Sequence, residues 1–516
     1  MEFFRKLWLR GKNVNPDLAF VFFLLVVALI YSYPSIAFKR PQSVHRWRQS
    51  DCASLALNYY QSGMHFFSPQ THNLTADHNT SGNHAPSEIP FGYYFIACLY
   101  KVFGYHDFIY RIVNTLIFLT GLTFLFKALH LLLKDFFWSM CITLLFFTSP
   151  VLAYYGNNFL SDSSAFAFAL IAWYFFIKFY LQKQSASFYL SMFFFLLAGA
   201  YKISGLISFV PLVGIFCLEQ MRILRFGIKE KLFPRFLPPA VAFSVIGLVI
   251  GSWIFYAKWY NEIHQSAYFS TTIYPLWNRP ADEVKAVTAA VRDLWMPQYF
   301  SVYTLCFFAA VFCVNLFLIK KANRFLMWCN MLILVVAVLY VLLEFGTFRN
   351  HDYYTINVFI VLIFILINTG WILKTHYPRL FASPYLRFLF FAFFVFNIFH
   401  AKAELRARYK GWWTEHNEYK DYDTVTPYLR SIGITPSDTV ICLPDFSHFT
   451  LYLMNQKGWT ECWDNNHDSA GIASSIQRGA KYLIINGDEV KQRKYLQHFL
   501  QHPAGKYHDI SIYKVR

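Results

Sequence analysis

The chain has 516 residues, 56% of them hydrophobic and 21% aromatic, with a formal net charge of +17. That composition excludes a water-soluble single domain, and apolar runs long enough to cross a bilayer recur, so the chain reads as a polytopic α-helical membrane protein. Its positive charge lies in short segments between apolar runs, as topology signals do, which argues against nucleic acid as a partner.

In chain order, the first run, Leu18 to Tyr33, has no small-residue cleavage motif after it and reads as a retained helix. Membrane helices are predicted near 18–37, 108–133, 136–155, 163–182, 186–201, 203–219, 237–258, 301–319, 326–344, 354–373 and 387–400. The apolar stretch "PFGYYFIACLYKVFG" (90–104) is short for a span, which needs roughly 20 residues. The basic clusters are Arg5, Lys6, Arg10 and Lys12; Arg222, Arg225, Lys229, Lys231 and Arg235; Lys320, Lys321 and Arg324; and Lys374, Arg379 and Arg387. With the N-terminus inside and 90–104 left uncounted, every cluster falls on the cytoplasmic side. The loops 38–88 and 259–300 then fall outside. This predicts about eleven crossings and an outer-face interfacial helix at 90–104.

From about Ala401 the composition becomes that of a soluble domain. "DTVICLPD", "SHFTLYLMNQKG", "AGIASSIQRGAKYLIING" and "KYLQHFLQ…DISIYKV" alternate strand and helix patterns, predicting a small α/β domain. The expected organisation is a transmembrane catalytic domain over 1–400, with a first outer loop over 38–107, and an extracytoplasmic domain over 401–516.

Once topology is assigned, ionisable groups gather at the outer helix ends: Asp51, Glu88, Arg111, Asp162, Lys202, Arg349, His351 and Asp352. Charge is costly at membrane depth, so convergence of acids and bases there suggests a site. Each has a plainer reading. Ser50-Asp51 and Ser161-Asp162 read as capped helix starts, and Glu88 as a solvated loop acid. Lys202 reads as a snorkelling lysine and His351 as an interfacial belt residue. His65, His72, Asp77, His78 and His84 match no metal-ligand spacing and read as a solvated loop. The sequons at Asn73 and Asn79 matter only in a eukaryotic secretory route. No P-loop, nucleophile elbow or dinucleotide fingerprint is present. The nine cysteines show no CxxC; most lie in apolar segments, and Cys442 and Cys462 would pair only in an oxidising compartment.

"HRWRQSDCASLALNYYQSG", "SEIPFGYYFIACLYKVFG" and "DFIYRIVNTLIFLTG" together resemble the opening of a bacterial GT-C membrane glycosyltransferase. The branch is that of the protein O-mannosyltransferases and lipid A aminoarabinose transferases, similar to glycosyltransferase family 39. "FLSDSSAFAFAL" resembles that branch's second-loop acid, "AYKISGLISFVPL" its lysine-glycine break and "HDYY" its His-Tyr-Tyr motif. The chain departs from the pattern at Ile203 and Ser204, where many relatives have Gly and Pro, and at Phe91. The resemblance implies inverting transfer of a sugar from a polyprenyl-phosphate donor to an acceptor hydroxyl on the outer face of a bacterial inner membrane. It implies Asp51 as base, with Glu88 and Asp162 completing the catalytic set. Arg48, Arg111, Lys202, Arg349, His351 and Tyr353 would hold the lipid phosphate or substrate. The resemblance leaves a divalent metal open, and it leaves the acceptor open among lipid, protein and glycan. The competing readings are a carrier or flippase, which would need polar groups deep in the spans, and a polymerase or ligase of lipid-linked glycans.

Overall fold

The computed structural model describes residues 15–74, 84–228, 230–266, 269, 272–411 and 419–516. The basic cluster at Arg5 to Lys12, Lys229, Asp77, His78, the Asn79 sequon and Trp412-Trp413 lie outside the described residues.

Seven described helices are long and apolar enough to span a bilayer: Asp107–Leu133, Ser161–Gln182, Ile203–Gln220, Leu237–Ile263, Arg324–Leu343, Asp352–His376 and Pro384–Lys410. An eighth arises if the bent pair Ala281–Tyr299 and Val302–Phe317, angled at 93°, is one span. The chain is therefore a polytopic membrane protein. Several predicted spans are shorter or broken, each for a local reason. The run 18–37 stops at Ile30 because Ser32 adopts a left-handed conformation (φ 62°) ahead of the short helix Tyr33–Ala37. The run 136–155 divides at Ser149-Pro150, where the serine hydroxyl accepts from Leu152 N and proline opens a new helix, Pro150–Tyr155. The span predicted at 354–373 begins as a tighter 3₁₀ stretch, Asp352–Phe359, before the helix Ile360–His376.

The largest departure is at the last span. The helix Pro384–Gly411 runs well past residue 400 and carries buried Arg408 into the candidate site. Arg408 near its end faces protein rather than water, so composition mislocates the end of the helix.

Phe91–Phe103 buries Tyr93, Ile96, Ala97 and Tyr100 on one face and presents Phe91, Phe95, Val102 and Phe103 outward. The helix Arg46–Gln61 lies beside it and is buried on nearly every side. It begins at Arg46 behind left-handed His45 (φ 54°), so Ser50 and Asp51 sit in its second turn. The capped-start reading of that pair is thereby overturned. Ser161 is the first residue of its helix with Asp162 in the first turn, but the cap position is Leu160 and no side chain caps it, so only the acid of that reading stands.

The C-terminal region forms a five-stranded mixed sheet, ordered β2-β1-β3-β5-β4, from β1 (Val440–Leu443), β2 (Gly458–Trp459), β3 (Tyr482–Asn486), β4 (Pro503–Tyr507) and β5 (Ile510–Lys514). β1 pairs parallel with β2 and β3, and β5 pairs antiparallel with β3 and β4. The helix Phe449–Met454 packs on Arg46–Gln61, and one apolar core joins Leu55, Leu57 and Tyr59 to Leu451, Tyr452 and Met454. The edge of β2 is covered by the first loop: Leu74 N donates to Gly458 O at 2.7 Å and Gly458 N to His72 O at 3.1 Å. The sheet is thus continuous with the loop over the helix bundle. All nine cysteines, Cys442 and Cys462 included, are free thiols.

Candidate active site

Glu88 leaves the first loop immediately before Pro90, where proline ends the extended segment and starts the next helix. Its Oε1 accepts from Arg48 Nη2 at 3.0 Å and from Lys202 Nζ at 2.8 Å, while Oε2 accepts from the Tyr93 hydroxyl at 3.4 Å. The side chains of Arg48 and Glu88 are each 6% exposed and that of Lys202 is 11% exposed. Neither the solvated-loop reading of Glu88 nor the snorkelling reading of Lys202 survives. Burial alone would raise the Glu88 carboxyl; Lys202 and Arg48 override it and hold the group well below the usual carboxylate range.

Asp162, 1% exposed, lies within electrostatic reach of Lys202, Glu88 and Arg48. Two cations thus face two carboxylates, so the buried cluster is close to neutral. Asp162 Oδ1 and Arg48 Nη1 have no hydrogen-bond partner among the described residues. Both are polar atoms that a substrate could satisfy. Lys202 sits where the helix Ser185–Tyr201 ends, 5.2 Å from the centre of the Tyr354 ring. Ser204, at a position where the sequence departs from its resemblance, accepts from Asn357 Nδ2 at 3.0 Å and ties this break to Asp352–Phe359.

Asp51 has a different neighbour. Its Oδ1 pairs at 2.9 Å with His448 Nε2 from the C-terminal domain, and both residues are buried. Burial would lower the His448 imidazole, but Asp51 pushes it up to about 10. His448 itself is aimed by Asp445, whose carboxylate accepts from the backbone N–H groups of Ser447, His448 and Thr450. Asp51 is therefore held between the first loop and the distant C-terminal domain.

A second buried network was only partly visible in the sequence. The Tyr155 hydroxyl bridges His45 Nδ1 at 2.6 Å and Asp352 Oδ1 at 2.7 Å. Arg408 Nη2 donates to Asp352 Oδ2 at 2.6 Å, and Arg408 Nε to Gln298 Oε1 at 2.9 Å. His45 Nε2 donates to the Asn350 carbonyl at 2.7 Å. His351 stacks on His45 with ring centres 6.1 Å apart, meets Trp47 edge-on and donates from Nδ1 to the Thr347 carbonyl at 2.9 Å. Burial pushes its imidazole down to about 4. Tyr353 is buried beside both histidines, with ring centres 5.2 Å from His45 and 5.4 Å from His351.

Two predicted phosphate-binding residues lie elsewhere. Arg111 is fully buried and donates to the carbonyls of Lys39, Arg40 and Asn157 while stacking on Phe159. Its guanidinium is committed to holding the entry of the first loop. Arg349 is exposed, and only its carbonyl makes a contact toward the network, accepting from Trp295 Nε1 at 3.2 Å. Two of the loop histidines are stitched in rather than solvated, while His65 is exposed: His72 Nδ1 contacts Ser54 Oγ at 2.7 Å, and His84 Nδ1 contacts Tyr260 OH at 2.7 Å. Among the described residues no group of three or more His, Cys, Asp or Glu side chains is placed to hold a metal.

No family model and no curated protein sequence matches the chain. Solved structures do. ArnT from Cupriavidus metallidurans in the apo state superposes with a TM-score of 0.60 at 13% identity, covering 97% of this chain and 99% of that one. The oligosaccharyltransferase of Archaeoglobus fulgidus gives 0.56 at 14% identity, over 91% of this chain and 69% of that one. The mycobacterial arabinofuranosyltransferase AftD gives 0.55 at 12% identity, over 95% of this chain but only 39% of its own. All three are membrane glycosyltransferases whose helices follow the same course, and the chain accordingly has the GT-C membrane glycosyltransferase fold.

Proposed function

We propose that the chain transfers a sugar from a polyprenyl-phosphate donor to an acceptor hydroxyl at the membrane surface, with inversion. The observation that carries this reading is the buried Glu88–Arg48–Lys202 cluster beside Asp162. A phosphate leaving group needs cationic hydrogen-bond donors already in place. Arg48 retains an unpartnered Nη1, and Lys202 lies at the same carboxylate. A further support is ArnT from Cupriavidus metallidurans bound to undecaprenyl phosphate, which superposes with a TM-score of 0.57.

The acceptor oxygen attacks the anomeric carbon as its bond to the phosphate oxygen breaks. Asp51 takes the hydroxyl proton, oriented through His448, and Arg48 and Lys202 receive the charge that returns to the phosphate. Glu88 holds the two cations, while Asp162 orients the sugar. His351 and Tyr353 wall the pocket. A second reading exchanges the aspartates, favoured by the unpartnered Oδ1 of Asp162. We further place the shorter apolar helices Pro16–Ile30, Phe136–Phe147 and Ser185–Tyr201 as crossings, with Phe91–Phe103 at the surface. This puts the N-terminus in the cytoplasm and the C-terminal domain outside.

The test is transfer from a polyprenyl-phosphate sugar by the purified protein in detergent. Loss of a general base costs about 10²–10⁴-fold in turnover. A drop of that size in Asp51→Asn alone supports the first assignment, and one in Asp162→Asn alone the second. Lipid translocation by the wild type without transfer would replace the enzyme by a carrier.

A further inference from the structure

A second polar cavity, of about 250 Å³, opens between the end of the first helix and the overlong last one. Ser32, Ser35, Lys39 and Gln42 line it from one side, and Lys402, Arg406, Tyr409 and Lys410 from the other. Four cations share this small space. Among the described residues none of the four side chains makes a hydrogen bond or an ion pair, and no carboxylate lines the cavity. Among the described residues, Asp107 is committed to Arg40 and Glu404 to Gln298. Tyr31, also in the lining, has a buried hydroxyl without a hydrogen-bond partner.

The position of these charges is unusual for the bundle. The helix Asp107–Leu133 connects its two ends: Asp107 binds Arg40 at one, and Leu132 O accepts from Lys374 at the other. The basic clusters around residues 222–235, 320–324 and 374–387 belong to the latter end, where Arg387 also meets Asp135. Lys39, Lys402, Arg406 and Lys410 are at the opposite end, beside the C-terminal domain, so the topology that gathers the other cations does not account for them. Exposed phenylalanines adjoin the lining residues in sequence: Phe38, beside Lys39, is 69% exposed, and Phe399, one turn before Lys402, is 64%. Unpaired cations and the Tyr31 hydroxyl beside exposed phenylalanines match a phosphate headgroup joined to acyl chains.

We propose that this cavity binds the net-anionic phosphate headgroup of a membrane lipid, as opposed to a zwitterionic one, at a site separate from Glu88, Arg48 and Lys202. The last helix must run past the bilayer core for the site to exist, because Arg406 and Lys410 lie on its extension. The proposal does not depend on the activity inferred above.

The experiment uses the full chain in detergent, with short-chain phosphatidic acid, phosphatidylcholine of the same chain length and inorganic phosphate as probes. Binding is read by native mass spectrometry and by the shift in unfolding temperature. Phosphatidic acid is expected to bind wild type more tightly than either other probe. Each cation near a lipid phosphate is worth about fivefold in affinity. Lys402→Gln and Arg406→Gln singly should therefore weaken binding about fivefold. Combining them with Lys39→Gln and Lys410→Gln should weaken it about a hundredfold or more. Lys320→Gln/Lys321→Gln, at the other end of the bundle, should leave it unchanged. Unchanged affinity in the single variants, or equal binding of phosphatidylcholine, overturns the proposal. Equal binding of inorganic phosphate overturns the lipid as its source.

Discussion

Glu88→Gln isolates the electrostatic role of the carboxylate while keeping its shape. Glu88 faces Lys202 at 2.8 Å and Arg48 at 3.0 Å, all three nearly excluded from water. At an effective dielectric constant near 20, each contact is worth about 5–6 kcal/mol of gross attraction, most of it offset by desolvation. Removing one partner of such a buried pair costs about 3–5 kcal/mol, because an uncompensated charge stays behind. Glutamine keeps a carbonyl acceptor, so a loss near 3 kcal/mol is expected, measured by chemical unfolding in detergent. Lys202→Met alone should also destabilise, and the double variant should lose less than the sum, with a coupling of about 2 kcal/mol. The pH dependence has a definite sign. The folded carboxyl is held below its ordinary 4.5, so its contribution is complete above that value. It fades only as pH falls through the lowered one, so wild type should show no Glu88-dependent change between pH 5 and 8. An additive double variant, or a Glu88→Gln loss below about 0.5 kcal/mol, would refute the buried cluster.

Asp51 raises His448 to about 10, so the pair stabilises fully below the ordinary histidine value of 6.5 and is lost as pH climbs through 10. Thermal unfolding of wild type should weaken between pH 8 and 10.5 by more than that of His448→Gln; parallel curves would remove the ion pair. Asp352→Asn leaves Arg408 buried without its counter-ion and should cost about 3 kcal/mol, read by unfolding, whereas a neutral outcome would make the network dispensable. Gly458→Ala places a Cβ 2.0 Å from Val440 O, which must push β2 from β1. Limited proteolysis should then cut the first loop faster, and an unchanged digestion rate would show that the loop does not depend on that strand edge.

Much of the site was legible because its residues occupy breaks in apolar runs. Glu88 before Pro90, Asp162 after Ser161 and Lys202 after Tyr201 each interrupt a strongly apolar pattern, and the fold brings all three together with Arg48. Arg111 satisfies the same criterion yet serves three backbone carbonyls, because charge at a helix end does not distinguish a ligand site from a loop staple. His448 could not be placed beside Asp51 from spacing. The two lie 397 positions apart, and only the packing of Phe449–Met454 on Arg46–Gln61 joins them. Arg408 was hidden by a polar helix end that composition assigns to a soluble domain. The helix lengths were misread locally for a related reason: Ser32 and Pro150 break helices within apolar runs that hydropathy reads as continuous.

The two aspartates differ in what restrains them, and this bears on what the C-terminal domain does. Asp162 is fixed by the transmembrane helix Ser161–Gln182 alone, and its charge is answered by cations of the same bundle. Asp51 is answered by a histidine on the soluble domain, itself held by the Asp445 turn. A movement of the domain that separates His448 from the helix Arg46–Gln61 must therefore stretch the Asp51–His448 contact. A hydrogen bond weakens steeply beyond about 3.5 Å, so a displacement below 1 Å is enough to release the carboxylate. Arg40 ties the same two bodies through the Asp423 and Leu453 carbonyls at 3.1 and 2.9 Å, so that movement is opposed at a second point. On the proposed assignment of Asp51 as base, domain position and Asp51 reactivity are then one variable.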